Sequence, residues 1–363
     1  MNTTTASTRS GTPRLLVVTV ALDPTADLVL RELNARGVEF WRIDLADFPS
    51  RLRLSTQLRP DGRWGGTLSD GRRETDLAEL RAIWWRKPAG FGLAEGMSVA
   101  ERGWAERQAR AGLLGTLNSL PQVVWINRPE NNQRCDKPRQ LAAAAQLGFA
   151  VPDTLITDDP AEAAAFAQRH RGHVVTKSLS GLVYEEGGER GGLYTYPVPP
   201  EQRGSERIAL TAHLFQRRII DKEYEIRVTV VGDRIFPVEI HAPEGSGRLD
   251  WRCDTPNLAY RSTVLPSPIG ERILMLLRRF QLRFATLDFI VDSRGAHYLV
   301  DVNPNGQWAW VPEFRQRIPN ALADLLEKET RASPQREAFP RVRHLAVVGR
   351  DSLPPAPFVG GAG

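Results

Sequence analysis

The spacing of apolar residues along the first third of the chain alternates between strand and helix patterns. A buried-type strand over 14–20, a helical pattern that stops at Gly37 and a second strand over 38–44 predict a β-α-β beginning. A hairpin over 51–58 and 63–68 follows, then a strand over 82–86, a long helix over 99–117 and a strand over 123–127. This alternation is typical of a doubly wound α/β unit, which we place at residues 14–120.

The second region, residues 121–213, combines short helices and strands with a glycine-rich stretch. Asp136 is a suitable N-cap for a helix that ends at Gly148, and strands over 154–157 and 173–178 flank a helix over 160–169. Backbone N–H groups of a glycine-rich flap can close over phosphates, although a plain surface hairpin fits the same pattern. The flap glycines are Gly187, Gly188, Gly191 and Gly192.

The third region, residues 214–330, is rich in strands. A strand pair, an amphipathic helix, a hairpin and a final helix are predicted over 225–231 with 234–241, 269–281, 287–292 with 297–303, and 319–329. Residues 1–13 read as a disordered lead-in and 331–363 as a loose Pro/Gly-rich tail. The predicted fold class is therefore α/β at the N-terminus and α+β in the two later regions.

The hairpin over 287–303 brings acidic side chains together. If its turn is centred between Arg294 and Gly295, Asp288 lies directly opposite Asp301, and strand alternation places Asn303 on the same face as Asp301, with Tyr298, Val300 and Val302 on the other. Two carboxylates facing each other across a strand pair repel unless a cation lies between them. Carboxylate and amide oxygens suit Mg²⁺ or Mn²⁺. A surface hairpin is the alternative, and a one-residue slip would separate the two aspartates.

Composition narrows the function classes. The 363 residues are 41% apolar and 25% charged, which is typical of a globular protein of two or three domains. We find no apolar run long enough for a membrane span and no signal-peptide core, and we expect a cytoplasmic protein. The only cysteines, Cys135 and Cys253, have no metal-type spacing. The net charge of +5 suits an anionic ligand, but acids and bases are interspersed, so nucleic acid is not an expected partner.

Two lysines complete a nucleotide site with the acidic hairpin. Lys137 stands in the first turn of a helix, where a phosphate is favoured, and Lys177 ends an apolar strand just before the flap. With a cation site and a mobile flap, this set predicts binding of a nucleoside triphosphate and its metal. The Walker lysine motif, the kinase catalytic signature and a nucleophile-histidine signature are all absent from the sequence.

From about residue 126 to 321 the chain resembles the ATP-grasp superfamily. The resemblance implies three domains, with ATP held between two β-rich ones. It also implies that two lysines hold the ATP phosphates, that a hinge reads the adenine, that an acid binds the ribose, that three residues bind Mg²⁺ or Mn²⁺, and that two arginines contact the transferred phosphate. The lysines are Lys137 and Lys177, and the hinge residues are Gln216, Arg217, Arg218 and Ile219. The ribose acid is Glu225, and the metal ligands are Asp288, Asp301 and Asn303. The arginines on the transferred phosphate are Arg227 and Arg252.

Four short motifs narrow the resemblance to the microviridin-type graspetide synthetases. They are DVNPNGQW at 301–308, EIHAP at 239–243, DWR at 250–252 and WWRKP at 84–88. This resemblance implies an enzyme that uses ATP to activate Asp or Glu side chains of a ribosomal precursor peptide. Thr, Ser or Lys side chains of that peptide then close ester or amide rings. The peptide's leader needs a groove, for which Arg217, Arg218 and the hairpin near Lys222 are candidates. A homodimer stays open.

Three other functions fit part of the sequence. An ATP-grasp ligase for free amino acids or small peptides would use the same acyl phosphate. A nucleotide sensor without catalysis is disfavoured because both lysines and all three metal-ligand candidates are retained. A nucleic-acid binder finds support only in the run Trp84-Trp85-Arg86-Lys87, and tryptophans within a strand are more often core residues.

Overall fold

The computed structural model describes residues 12–331, apart from 181–182, 187–188 and 193. Most of the predicted lead-in, nearly all of the predicted tail, and the flap residues Gly187 and Gly188 therefore lie outside the described residues. Arg331 does not belong to a tail, since it is the last residue of a helix.

The N-terminal unit contains a parallel sheet of four strands in the order β2-β1-β6-β7. A second, antiparallel sheet of β3, β4 and β5 extends the predicted hairpin by one strand. The elements are β1 (Leu15–Val18), α1 (Pro24–Ala35), β2 (Trp41–Ile43), β3 (Arg53–Leu58), β4 (Trp64–Ser69), β5 (Glu74–Asp76), β6 (Ala82–Trp85), α2 (Val99–Ala109), α3 (Gly115–Asn118) and β7 (Val124–Ile126).

One prediction for this unit needs correction. The long helix predicted over 99–117 is interrupted by a π-helical turn, Arg110–Leu114, between α2 and α3. The parallel strands are buried on both faces, which is why they read as continuous apolar runs. Their carboxyl ends point toward the C-terminal part of the chain, where Asn127 donates to the carbonyls of Phe284 and Pro304.

The central unit is an antiparallel sheet with the order β12-β9-β13-β8 and a separate hairpin of β10 and β11. The helix that carries Lys137 begins where the sequence predicts, because the Asp136 carboxylate caps it by accepting from the Arg139 backbone N–H. The elements are α4 (Pro129–Arg134), α5 (Lys137–Gln146), β8 (Thr154–Thr157), α6 (Pro160–Arg169), β9 (Val174–Lys177), β10 (Val183–Glu186), β11 (Glu189–Gly192), β12 (Tyr196–Pro197) and β13 (His213–Arg217).

The C-terminal unit is a five-stranded antiparallel sheet in the order β16-β15-β14-β17-β18. Its last helix begins at Phe314, five residues before the predicted start at Pro319, because buried Phe314 and Ile318 extend the apolar face into the core. The elements are β14 (Lys222–Val231), β15 (Arg234–His241), α7 (Ser246–Leu249), β16 (Ala259–Ser262), α8 (Ser267–Arg279), β17 (Phe284–Asp292), β18 (His297–Asn303) and α9 (Phe314–Arg331).

The two faces of this sheet have different roles. One face buries aliphatic and aromatic residues such as Val228, Leu287 and Phe289 against α8 and α5. The other face carries a row of charged residues on three adjacent strands, in which Arg227 lies opposite Asp288 and Asp288 lies opposite Asp301. This charged row faces the four-stranded sheet of the central unit across a cavity.

The register of the β17–β18 hairpin contains a bulge. At the turn end Phe289 pairs with Leu299, whereas beyond the bulge Asp288 pairs with Asp301, so Val300 is the extra residue. The predicted pairing of the two aspartates is therefore present, but the predicted alternation is wrong around Val300. Val300 lines the cavity together with Asp301, while Leu299 and Val302 both pack into the core.

Candidate active site

A cavity between the central and C-terminal sheets collects nearly all of the predicted site residues. Its lining comes from β9, β13, β14, β17 and β18, from the start of α5, and from the segment 249–252. Every residue predicted to bind nucleotide or metal or to act in catalysis lines this cavity, except Arg227 and Asn303. Residues up to 164 positions apart along the chain, as for Lys137 and Asp301, therefore line one cavity.

The two lysines reach the same strand from opposite sides. The Lys137 ammonium forms an ion pair with Asp301, and the Lys177 Nζ donates to the Val300 carbonyl at 2.8 Å. Desolvation in the cavity and the nearby Lys137 lower the pKa of Lys177 to about 7. Two ammonium groups held this close favour an anionic ligand between them.

The two aspartates differ in their electrostatic surroundings. Burial alone would raise the pKa of Asp301, but Lys137 and Lys177 hold it below its usual value. For Asp288 burial dominates, and its pKa is raised although Arg227 lies beside it. Arg227 Nη1 donates to both Asp288 oxygens, at 2.7 and 2.9 Å. Each carboxylate therefore has a cationic partner from the protein itself.

The donor set of these aspartates fits a hard divalent cation. In the part of the chain that the structure describes, no group of three or more His, Cys, Asp or Glu side chains is placed to hold a metal. Mg²⁺, however, commonly uses only one or two carboxylates and takes its other oxygens from substrate phosphates and water. The facing pair Asp288 and Asp301 meets that requirement, and Lys137 and Lys177 lie where phosphates would be held.

The Asn303 side chain does not line the cavity that holds the two aspartates. Its amide oxygen accepts from the Asn305 backbone N–H at 2.9 Å, so the side chain stabilises the turn that follows β18. Asn303 lies opposite Thr286 on β17 and does not line the cavity. The prediction that Asn303 is a third metal ligand stays a prediction.

Arg227 is held in a fixed position beside the cavity. The carbon of its guanidinium lies 5.3 and 5.7 Å from the centroids of the Trp251 and Trp310 rings, which stack on each other, and it also donates to the Gln307 carbonyl. A cation beside aromatic rings keeps its charge while losing water. Arg227 therefore presents its positive charge to Asp288 from the wall of the site.

The opposite end of the cavity is more apolar. Val175, Leu249 and Ile290 line it together with the predicted hinge residues. Within the hinge, Gln216 donates through Nε2 to the Thr154 hydroxyl at 2.8 Å, and the Arg218 backbone N–H donates to the His173 carbonyl at 2.9 Å. These hydrogen bonds hold the hinge in place beside the apolar side chains, and an apolar slot suits a planar heterocycle.

Glu225 and Lys222 correct one part of the sequence interpretation. Lys222 is not on an exposed hairpin: it is 8% exposed and its Nζ donates to Glu225 at 2.7 Å. Burial raises the pKa of Glu225 despite this partner. Arg217 and Arg218 line the cavity. That these two arginines contact a leader peptide stays a prediction.

Asp250 is a site residue that sequence reasoning did not single out, although its motif was noted. It accepts from Arg252 Nε at 2.8 Å and from the Thr195 backbone N–H at 3.0 Å. Thr195 follows the glycine-rich hairpin closely, so Asp250 links Arg252 to the base of the flap. The DWR motif was the signal that could have identified this role.

Comparison with known proteins agrees with this geometry. The family model of the MvdD pre-ATP grasp domain matches residues 14–133. No curated protein matches the chain. A RiPP-associated ATP-grasp ligase from Chryseobacterium gregarium, solved with ADP and a leader and core peptide, is 28% identical. The similarity covers 88% of this chain and 97% of that one, with a TM-score of 0.78.

Two further solved structures are similar over most of the chain. The macrocyclase MdnC from Microcystis aeruginosa, bound with its precursor peptide MdnA, is 28% identical over 86% of this chain and 99% of that one, with a TM-score of 0.75. The macrocyclase MdnB of the same organism is 24% identical over 86% of this chain and 98% of that one, with a TM-score of 0.71, and supports the fold alone.

Proposed function

We propose that this chain, which has the ATP-grasp fold and resembles the RiPP-associated ATP-grasp ligases, is an ADP-forming ligase that closes rings in a ribosomal precursor peptide. The observation that carries the proposal is the single cavity in which Lys137, Lys177, Asp288 and Asp301 meet between two sheets. A structure with the same fold, solved with ADP and a leader and core peptide, supports it.

The proposed reaction has two steps. An Asp or Glu carboxylate of the peptide attacks the γ-phosphorus of ATP, and ADP leaves. A Thr or Ser hydroxyl, or a Lys amine, of the same peptide then attacks the acyl carbon, and phosphate leaves as the nucleophile loses its proton. The product is an ester or amide ring, and the peptide has lost one water per ring. No covalent protein nucleophile is needed, because positioning and charge neutralisation supply most of the catalysis.

The cavity residues match the charges that this reaction must hold. We propose that Lys137 and Lys177 bind the phosphates, and that Asp288 and Asp301 bind Mg²⁺ or Mn²⁺. When bound, the metal neutralises phosphate charge and draws electrons from the transferred group. Arg252 lines the cavity and Arg227 lies beside it, paired with Asp288, and we propose that the two arginines balance the charge of the phosphate in transfer.

The other end of the cavity is proposed to hold the nucleoside. The hinge segment of Gln216, Arg217, Arg218 and Ile219 offers backbone groups beside an apolar slot for adenine. Glu225 is the proposed ribose ligand, and Lys222 keeps its carboxylate in place. This division puts the reacting phosphate next to the two aspartates.

The proposed partner is a precursor peptide with a leader segment, and the proposed location is the cytoplasm, where ribosomal peptides and ATP are made available. Among the described residues we find no helix with the length and apolar content needed to cross a bilayer. The alternative, a ligase for free amino acids, would use the same nucleotide site and differs only in what brings the carboxylate.

Co-expression with a candidate precursor peptide tests the proposal. We expect mass spectrometry to show the loss of one water per ring, because each ring joins a carboxyl to a hydroxyl or amine. A peptide with its core Asp and Glu residues changed to Asn and Gln is the matched control and should keep its full mass. ADP release with free amino acids, without any peptide, would instead favour the alternative.

A further inference from the structure

Two sequence motifs from distant parts of the chain form one packed unit. The tryptophan of β6, Trp84, and the last residue of the DVNPNGQW motif, Trp308, belong to the same buried core. Both are almost fully buried, at 2% and 0% exposure. The end of an N-terminal strand is thereby fixed against the loop that follows β18, next to the aspartates of the cavity.

Arg86 lies at the centre of this contact. It follows β6 directly, is 2% exposed, and donates to the Asn305 carbonyl at 2.8 Å and to Gln307 Oε1 at 2.6 Å. Its only acidic neighbour among the described ion pairs is Asp23, at 3.6 Å. Burying a guanidinium costs free energy that carbonyl and carboxylate partners must offset, so this site holds its partners in defined positions.

Gln307 passes the contact on to Arg227. Its side chain accepts from Arg86 and from the Thr25 hydroxyl, the latter at 2.9 Å. Its backbone carbonyl accepts from Arg227 Nε and Nη2, at 3.1 and 2.8 Å. Arg227 in turn donates to both oxygens of Asp288. A continuous set of polar contacts thus runs from the N-terminal unit to the cavity.

The loop that follows β18 packs closely against β17 and has little freedom to move. A Cβ on Gly306 would lie 1.7 Å from the Thr286 hydroxyl, so the loop backbone runs directly against β17. The same hydroxyl accepts from Arg227 Nη2 at 3.0 Å. The position of the loop therefore determines the position of the guanidinium.

We propose that Arg86 is a positioning residue for the reaction: through Gln307 it fixes Arg227 and Asp288 at the phosphate and metal end of the cavity. The inference rests on the proposed function, because it assumes that this end holds the γ-phosphate and its metal. It assigns to the WWRKP motif a task that the nucleotide contacts themselves do not explain.

The test compares two nucleotides. We expect Arg86→Gln to weaken binding of the magnesium complex of a non-hydrolysable ATP analogue by about 10–100-fold, as loss of a supporting contact to a metal site does. Binding of ADP without metal, which does not use Asp288 as a metal ligand, should stay within about twofold. Isothermal titration calorimetry on the full chain measures both.

Arg36→Gln is the matched control. Arg36 also joins the N-terminal unit to the C-terminal one, through Asp324 and Glu327 on α9, but it has no contact with Arg227 or the loop. It should leave the ratio of the two affinities unchanged. Gln307→Met should also weaken binding of the magnesium complex selectively. The loss in the double variant should be smaller than the sum of the two single losses, because both changes remove the hydrogen bond between Arg86 and Gln307.

Three results would overturn the inference. They are an equal loss for both nucleotides in Arg86→Gln, a change of the affinity ratio in Arg36→Gln as large as that in Arg86→Gln, or additive effects of Arg86→Gln and Gln307→Met. If Arg86→Gln does not fold, an unchanged ratio in Gln307→Met decides against the inference. The proposed function fails separately: a wild-type protein that binds these nucleotides but removes no water from the peptide would contradict the peptide reaction and leave the affinity ratios as measured.

Discussion

Asp288→Asn abolishes ring formation, with an expected fall in rate of about 10³-fold or more. The substitution removes one of the two facing carboxylates that we assign to the metal, while keeping the size of the side chain. Arg227 now donates to both oxygens of Asp288, at 2.7 and 2.9 Å. In the variant the guanidinium faces a neutral amide instead of a carboxylate. Both changes weaken the phosphate end of the cavity.

The structure predicts that this variant still folds. Asparagine has the size of Asp288 and keeps an oxygen that can accept from Arg227. Because the buried ion pair with Arg227 is lost, we expect a lowered melting temperature, measured by circular dichroism, with a cooperative transition retained beside a loss of product in mass spectrometry.

Asp324→Asn is the control for this variant. Asp324 also pairs with arginines, Arg36 and Arg234, but on α9, away from the cavity. It should keep its activity. Wild-type rates in Asp288→Asn, at any magnesium concentration tested, would remove Asp288 from the site.

The second large effect concerns pH. Desolvation and the charges of Lys137 and Arg252 lower the pKa of Lys177 to about 7, while Asp301 and Asp250 oppose this shift. Bound phosphates favour the ammonium form and raise that pKa again, so nucleotide binding takes up a proton above pH 7. The affinity for Mg-ATP is therefore at its maximum below about pH 7 and falls by up to about tenfold per pH unit above it.

Calorimetry between pH 6.5 and 8.5, in buffers with different ionisation enthalpies, measures the affinity and the proton uptake. Lys177→Met should bind Mg-ATP much more weakly, and its affinity should not depend on pH in this range. Lys328→Met, which changes a lysine in the last turn of α9, should keep the wild-type profile. A pH-dependent affinity in Lys177→Met would show that another group titrates.

The sequence was sufficient for the parts of the site that depend on local patterns. The N-cap Asp136 places Lys137 at a helix start, and an apolar strand places Lys177 at its end. Both positions follow from capping and alternation, which act within a few residues. The sequence also predicted that Asp288 and Asp301 lie opposite each other, because the short turn of their hairpin sets which residues pair.

Other features depend on contacts that no local pattern encodes. The extra residue Val300 makes a bulge, so it faces the cavity beside Asp301 instead of the core. The backbone N–H of Leu299 donates to the Ala150 carbonyl, in a different unit, which a hairpin rule cannot foresee. The predicted alternation failed at Val300 because the bulge adds one residue to β18.

Burial of charged residues was also beyond the sequence. Lys222 follows charged neighbours and reads as exposed, yet its ion pair with Glu225 lies inside the protein. Similarly, WWRKP and DVNPNGQW were recognised as separate motifs. Their meeting through Arg86 and Gln307 depends on how the N-terminal and C-terminal units pack, which the separate patterns do not specify.

The central claim is that one cavity holds Mg-ATP between two lysines and two facing aspartates. A crystal structure of the protein with magnesium and a non-hydrolysable ATP analogue tests it most directly. We predict oxygens of Asp288 and Asp301 at about 2.1 Å from the metal, with the amines of Lys137 and Lys177 in hydrogen-bond contact with the phosphates. A nucleotide bound elsewhere, or a metal held without either aspartate, would contradict it.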